Sequence, residues 1–92
     1  MLHRYLRQPH TDEQTRLLVK GRLRLWRRSD LELSQRRMAE AAGVSRNTVQ
    51  RWEDERSVSV PTLVHVARIC EAVGERPSDA ARWLLDGGQD RA

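Results

Sequence analysis

The run from Ser34 to Glu53, SQRRMAEAAGVSRNTVQRWE, permits very few local folds. Its small and apolar residues are Met38, Ala39, Ala42, Gly43, Val44, Val49 and Trp52. They fall where two helices must cross at close range. Ala39 is small enough to admit a second helix, and Gly43 can take the positive φ that ends one helix and turns the chain sharply. Val44 plugs the corner. Val49 and Trp52, three residues apart, make the inner face of the second helix. The run therefore predicts two short helices, about 35–42 and 46–54, meeting at a tight corner.

The rest of the chain reads as helices around that pair. Residues 1–10 form a basic arm ended by Pro9, and 87–92 a frayed tail. Thr11 with Gln14 makes a capping box for a helix over about 12–29, whose apolar positions are Leu18, Val19, Leu23, Leu25 and Trp26. Ser34 and Ser45 cap the next two helices, and Ser59 is the expected cap of the fourth, with Pro61 in its first turn. Leu63, Val66, Ala67, Ile69, Cys70 and Val73 supply the apolar face of that fourth helix, which Gly74 ends. Pro77 and Ser78 open a fifth helix carrying Ala80, Ala81, Trp83, Leu84 and Leu85. No stretch alternates as a strand does, so the expected fold is all-α, with five helices over residues 11–86.

A close-crossing helix pair of this kind is a helix-turn-helix, whose second helix enters the DNA major groove. The sequence resembles the phage repressor and Cro type, often called the XRE family, over about residues 16–86. Leu33-Ser34-Gln35, Met38-Ala39-Glu40, Gly43-Val44-Ser45, Thr48-Val49 and Trp52-Glu53 carry the resemblance through the helix pair. Leu63, Val66 and Ala67, then Ala72-Val73-Gly74, extend it into the fourth helix. It implies a lambda-repressor-like fold and a DNA-binding regulator. It also implies an ion pair between Glu53 and an arginine of helix one, Arg27 or Arg28. Arg27 leaves Leu23 and Trp26 in register with the family's apolar positions.

Two departures from the family pattern matter. The family usually has glycine two residues after the glutamate, where this chain has Glu55. The turn after helix three must then strain a non-glycine residue or take another path. The stretch between helix one and Ser34 is also one residue longer than the family's.

With Val49 and Trp52 inward, 100° per residue puts Asn47, Gln50, Arg51 and Asp54 on the opposite side, with Arg46 on the flank. Arginine and asparagine are the side chains that read guanine and adenine bidentately, so Arg46, Asn47, Arg51 and Gln50 are the candidate base contacts. The alternative is a plain polar surface, which any exposed helix has. The resemblance gives Gln35 a contact to the phosphate backbone and a bracing role toward the first recognition-helix side chains. Ser34, Ser45 and Thr48 join it as phosphate candidates at helix N-termini, where free N–H groups favour anions. Arg56 and Ser57 resemble the family's second phosphate clamp, although Asp54 and Glu55 oppose that role. Arg36 and Arg37 face outward, toward phosphate or simply toward water. Arg4 and Arg7 flank Tyr5 in the arm, either reaching a groove or remaining a solvated tail. Trp83, Leu84 and Leu85 either cap the core or form a dimer seam.

Charge supports a polyanionic partner. The chain has 17 basic and 13 acidic residues, for a net charge of +4. The first 28 residues hold eight bases and two acids. A basic surface in water is the alternative reading of that asymmetry. The lone Cys70 cannot form an internal disulfide, which fits a reducing, cytoplasmic setting. No stretch has the length of a membrane span or the apolar core of a signal peptide. His3, His10, His65 and Cys70 lack metal-ligand spacing, and no phosphate loop or nucleophile–base pattern is present. The expectation is a non-enzymatic regulator with no cofactor. It would be a repressor on a double-stranded operator, binding as a monomer or homodimer. The rival reading is an antitoxin, which would bind DNA and also grip a toxin protein.

Overall fold

The computed structural model describes residues 12–86 as five helices, with no strand among them. They are α1 (Asp12–Leu25), α2 (Gln35–Ala42), α3 (Arg46–Glu53), α4 (Leu63–Val73) and α5 (Pro77–Asp86). The arm with Arg4, Tyr5 and Arg7, the Thr11 cap and the tail at 87–92 lie outside the described residues.

The corner between α2 and α3 forms as its residues require. Ser34 Oγ accepts the Arg37 amide at 3.1 Å, and Ser45 Oγ accepts that of Thr48 at 3.2 Å. Each cap satisfies one of the N–H groups a helix start leaves free. Gly43 ends α2 at φ 78° in the left-handed region, and its N–H and that of Val44 both reach the Ala39 carbonyl. Met38, Ala39, Ala42, Val49 and Trp52 are buried together with Leu23, Trp26, Ile69, Cys70 and Ala80. Val44, Trp83 and Leu84 pack against this cluster. Trp83 and Leu84 thus cap the core, whereas Leu85 is 51% exposed.

Helix one departs from its expected form at both its end and its face. Past Leu25 it widens into a π-helical turn, Trp26–Asp30, closed by Leu31 N–H to the Trp26 carbonyl at 2.9 Å. A π turn takes up one more residue than an α turn. Leu18 and Leu25, expected on the inner stripe, are exposed, and Lys20 and Arg27 are buried instead. On a 100° wheel Arg27 lies between Leu23 and Lys20 in angle, while Leu18 and Leu25 fall on the far side.

The connection from α3 to α4 takes the second of the two paths left open at Glu55 and moves the expected cap of α4. Glu55 does not take a left-handed φ; among the described residues the one non-glycine residue that does is Glu32, at φ 54°. The chain leaves α3 through an extended Asp54, whose Oδ1 accepts the Arg56 amide at 2.9 Å. This local aspartate turn replaces the family's glycine turn. Ser59 is not the cap of α4. Thr62 is, three residues later, in a reciprocal box with His65: Thr62 Oγ1 accepts the His65 amide and His65 Nδ1 accepts that of Thr62. The later start places Leu63 at the first helical position, 87% exposed, while Ala67 and Val73 also face out.

Candidate nucleic-acid interface

Helix α3 has two faces of opposite character. Val49 is fully buried and Trp52 nearly so, and the Trp52 ring lies 5.1 Å from that of His65. Arg46, Asn47, Gln50 and Arg51 are all exposed on the other side, and Thr48 is half-buried. The wheel thus gave the four base-contact candidates one common surface. Asp54 leaves that surface, because its carboxylate is turned back on Arg56. The backbone N–H and the guanidinium of Arg56 hold the Asp54 carboxyl below its ordinary value.

A small hydrogen-bond chain orders the N-terminal turn of α3. Ser45 Oγ and Thr48 Oγ1 are 3.1 Å apart, and Arg51 Nη2 donates to Thr48 Oγ1 at 3.3 Å. Arg51 is therefore drawn along the helix surface toward the N-terminal turn.

Three side chains from other elements seat α3. Arg27 Nε and Nη2 donate to the two carboxylate oxygens of Glu53 at 2.6 and 2.9 Å, with both side chains about nine-tenths buried. The structure thus selects Arg27 over Arg28, which is exposed. Arg27 Nη1 also holds the Leu33 carbonyl at 2.9 Å, just ahead of α2. Gln35 Nε2 donates to Glu53 Oε1 at 3.0 Å, so its brace meets the last residue of α3 and not the first ones. A buried charge survives only when paired and fully bonded, and Glu53 meets both conditions.

The third support was not foreseen. Lys20, fully buried, donates from Nζ to the carbonyls of Arg51 (2.7 Å), Trp52 (3.1 Å) and Ser59 (2.5 Å). One signal for it was present: Lys20 is the single lysine beside sixteen arginines.

The flanking candidates are less ordered by contacts. Arg56 is almost wholly exposed, with Nε at 3.3 Å from Asp54. Ser57 Oγ accepts the Ser59 amide at 3.1 Å. Arg36 and Arg37 pair loosely with Glu40 at 3.6 and 3.9 Å in open solvent, where such pairs contribute little.

Away from α3, Trp26 Nε1 donates to Glu75 Oε2 at 2.7 Å. Burial and the neighbouring Asp30 carboxyl raise Glu75 from about 4.5 to about 7. Burial likewise raises the Cys70 thiol. An open apolar groove of about 460 Å³ runs between α1, α4 and α5, lined by Val19, Pro61, Leu63, Val66, Ala81 and Leu84 among others. Among the described residues no group of histidine, cysteine and carboxylate side chains could hold a metal ion, and no helix is long and apolar enough to cross a membrane.

Comparison with known proteins agrees with this geometry. Residues 23–79 match the model of a family described as helix-turn-helix, so the match takes in the α1 end, the α2–α3 corner, α4 and the start of α5. Searches of curated proteins and of solved structures give no significant match. The matched span covers more than half of the chain, and it holds the capped corner, the Gly43 turn and the Arg27–Glu53 pair. The chain belongs to the XRE-type helix-turn-helix family, a family of DNA-binding transcription regulators and not of enzymes.

Proposed function

We propose that the protein is a cytoplasmic, sequence-specific repressor that occupies a double-stranded operator. Arg46, Asn47, Gln50 and Arg51 read base edges in the major groove. Ser34, Gln35, Ser45, Thr48, Arg56 and Ser57 hold the phosphate backbone. The observation that carries this reading is the two-faced α3: four base-reading side chains exposed together on a helix whose opposite face is buried. Such a helix can enter a groove without exposing apolar surface to it. The domains follow as a basic arm at 1–10, a DNA-binding unit at 11–86 and a tail at 87–92.

Selection of bound duplexes from a random pool tests this directly. A recovered consensus supports the reading; recovery of unrelated sequences only would reject sequence-specific recognition. Salt gives a second check. About four to eight phosphate contacts imply a log–log slope of about −4 to −7, and a flat response would exclude a backbone-dominated complex.

The apolar groove favours a protein partner as well. In the repressor reading that partner is a second copy, with half-sites about 10–10.5 base pairs apart. In the antitoxin reading it is a toxin. Sedimentation of the pure chain and co-purification with the product of the adjacent gene separate the two.

A further inference from the structure

The chain uses arginine at sixteen basic positions and lysine once, at Lys20. That one lysine is fully buried in α1 and spans three backbone carbonyls, those of Arg51, Trp52 and Ser59. Arg51 and Trp52 belong to the last turn of α3, where the helix dipole is negative; the Arg51 carbonyl also accepts the Asp54 N–H at 3.3 Å. Ser59 lies beyond Arg56 and Ser57, on the way to α4. A single ammonium therefore fixes the C-terminal end of the proposed reading helix and the far end of the proposed phosphate clamp. An ammonium has three N–H groups in a tetrahedral spread, which suits three converging acceptors; a planar guanidinium does not.

We propose that Lys20 is a positioning residue for DNA recognition: it sets the reading helix and the Arg56–Ser57 loop in register with each other, and so sets sequence discrimination without touching DNA. The proposal rests on the repressor reading above. Arg27, seven residues further along the chain than Lys20, holds α3 by a side chain, that of Glu53. Lys20 instead grips backbone, including the carbonyl of Arg51, itself a proposed base reader. Losing that grip would shift the helix end, and a misplaced side chain loses base readout while the basic surface still attracts phosphate.

The test uses the full chain with Lys20→Met and Lys20→Arg, and Ile69→Ala as a core variant of lowered stability. The parent first selects its duplex from a random pool. Each variant then binds that duplex, its single-base variants and salt series, at a temperature where circular dichroism shows native helix, with trimethylamine N-oxide added to favour folding. A residue that only stabilises the fold lowers all affinities by the same unfolded fraction, as Ile69→Ala should. A positioning residue changes the ratio. Both Lys20 variants should lose about tenfold in discrimination, and their salt slope should fall by about one as the clamp is displaced.

Parental discrimination in either Lys20 variant, or an equal loss in Ile69→Ala, overturns the proposal. So does failure of both Lys20 variants to fold with the osmolyte, which would make the residue one of general structure. A parent that selects no consensus removes the repressor reading before any variant is compared, and this inference with it.

Discussion

Helices α3 and α4 bury their inner faces in the same core but finish their outer faces in opposite ways. On α3 every outward position from Arg46 to Arg51 is polar. On α4 Ile69 and Cys70 are buried, yet Leu63 is 87%, Val64 57% and Val73 38% exposed. Scattered apolar exposure is ordinary, but Leu63 continues into the groove with Val66, Leu84 and Val19. The same amphipathic pattern thus yields one outer surface that is polar throughout and another that leaves apolar area in water. On the proposed reading the first meets DNA and the second a protein.

The sharpest way to break this contrast is at the inner face. Trp52→Ala should lower unfolding free energy by about 3–5 kcal/mol, enough to unfold much of a domain this small. Thermal melting measures it, and a parental melt would mean that α3 is not anchored by that ring. Next comes the ion pair. Glu53→Gln should cost about 3 kcal/mol, because Arg27 is then left buried beside a neutral group; denaturant unfolding that matches the parent would remove the pair from the account of how α3 is seated.

The outer faces should respond to different assays. Alanine at Arg46, Asn47 or Arg51 should cost about 1–3 kcal/mol on the selected site and relax the preference at one or two base pairs. Gln35→Ala should weaken binding to all sequences evenly. Unchanged discrimination in the three α3 variants would show that this surface reads nothing. Leu63→Glu should alter folding stability by less than about 0.5 kcal/mol while abolishing self-association in sedimentation. If Leu63→Glu instead leaves association intact, the apolar surface is not the contact.

The last prediction concerns pH. Glu75 is raised to about 7 from about 4.5 by burial and by Asp30 beside it. The folded protein holds that proton more tightly than the unfolded chain. Its contribution is thus present below about 4.5 and lost as pH rises through about 7. Stability should fall across that window, and Glu75→Gln, which can still accept the Trp26 N–H, should flatten the slope. A variant whose pH profile overlays the parent's would exclude Glu75 as its source.

The α2–α3 corner was legible because its constraints are local and steric. Ala39, Gly43, Val49 and Trp52 each answer to a neighbour within a few positions, and Ser34 and Ser45 cap the helix that follows them. The sorting of α3 into Val49 and Trp52 against Arg46, Asn47, Gln50 and Arg51 came from periodicity alone. Helix one was harder. Its leucines and arginines alternate so closely that two stripes compete, and Leu18 and Leu25 were read inward when they lie outside. The α4 start was misread for a related reason: Ser59 and Thr62 can both cap, and Thr62 wins because His65 returns its hydrogen bond.

The helix count, the sharp corner at Gly43 and the two faces of α3 follow from backbone sterics and a period of 3.6 residues, which the amino-acid order carries. The burial of Lys20 follows from packing alone. The carbonyls of Arg51, Trp52 and Ser59 that Lys20 meets lie 31 to 39 residues away, and they converge only when α3 and the Ser59 segment have docked on α1. The choice of Arg27 over Arg28 is the opposite case: the register of Leu23 and Trp26 already favoured Arg27, and the pair with Glu53 agrees with it. A buried charge is stabilised by partners brought together through folding, and that convergence is a property of the packed chain and not of any local segment.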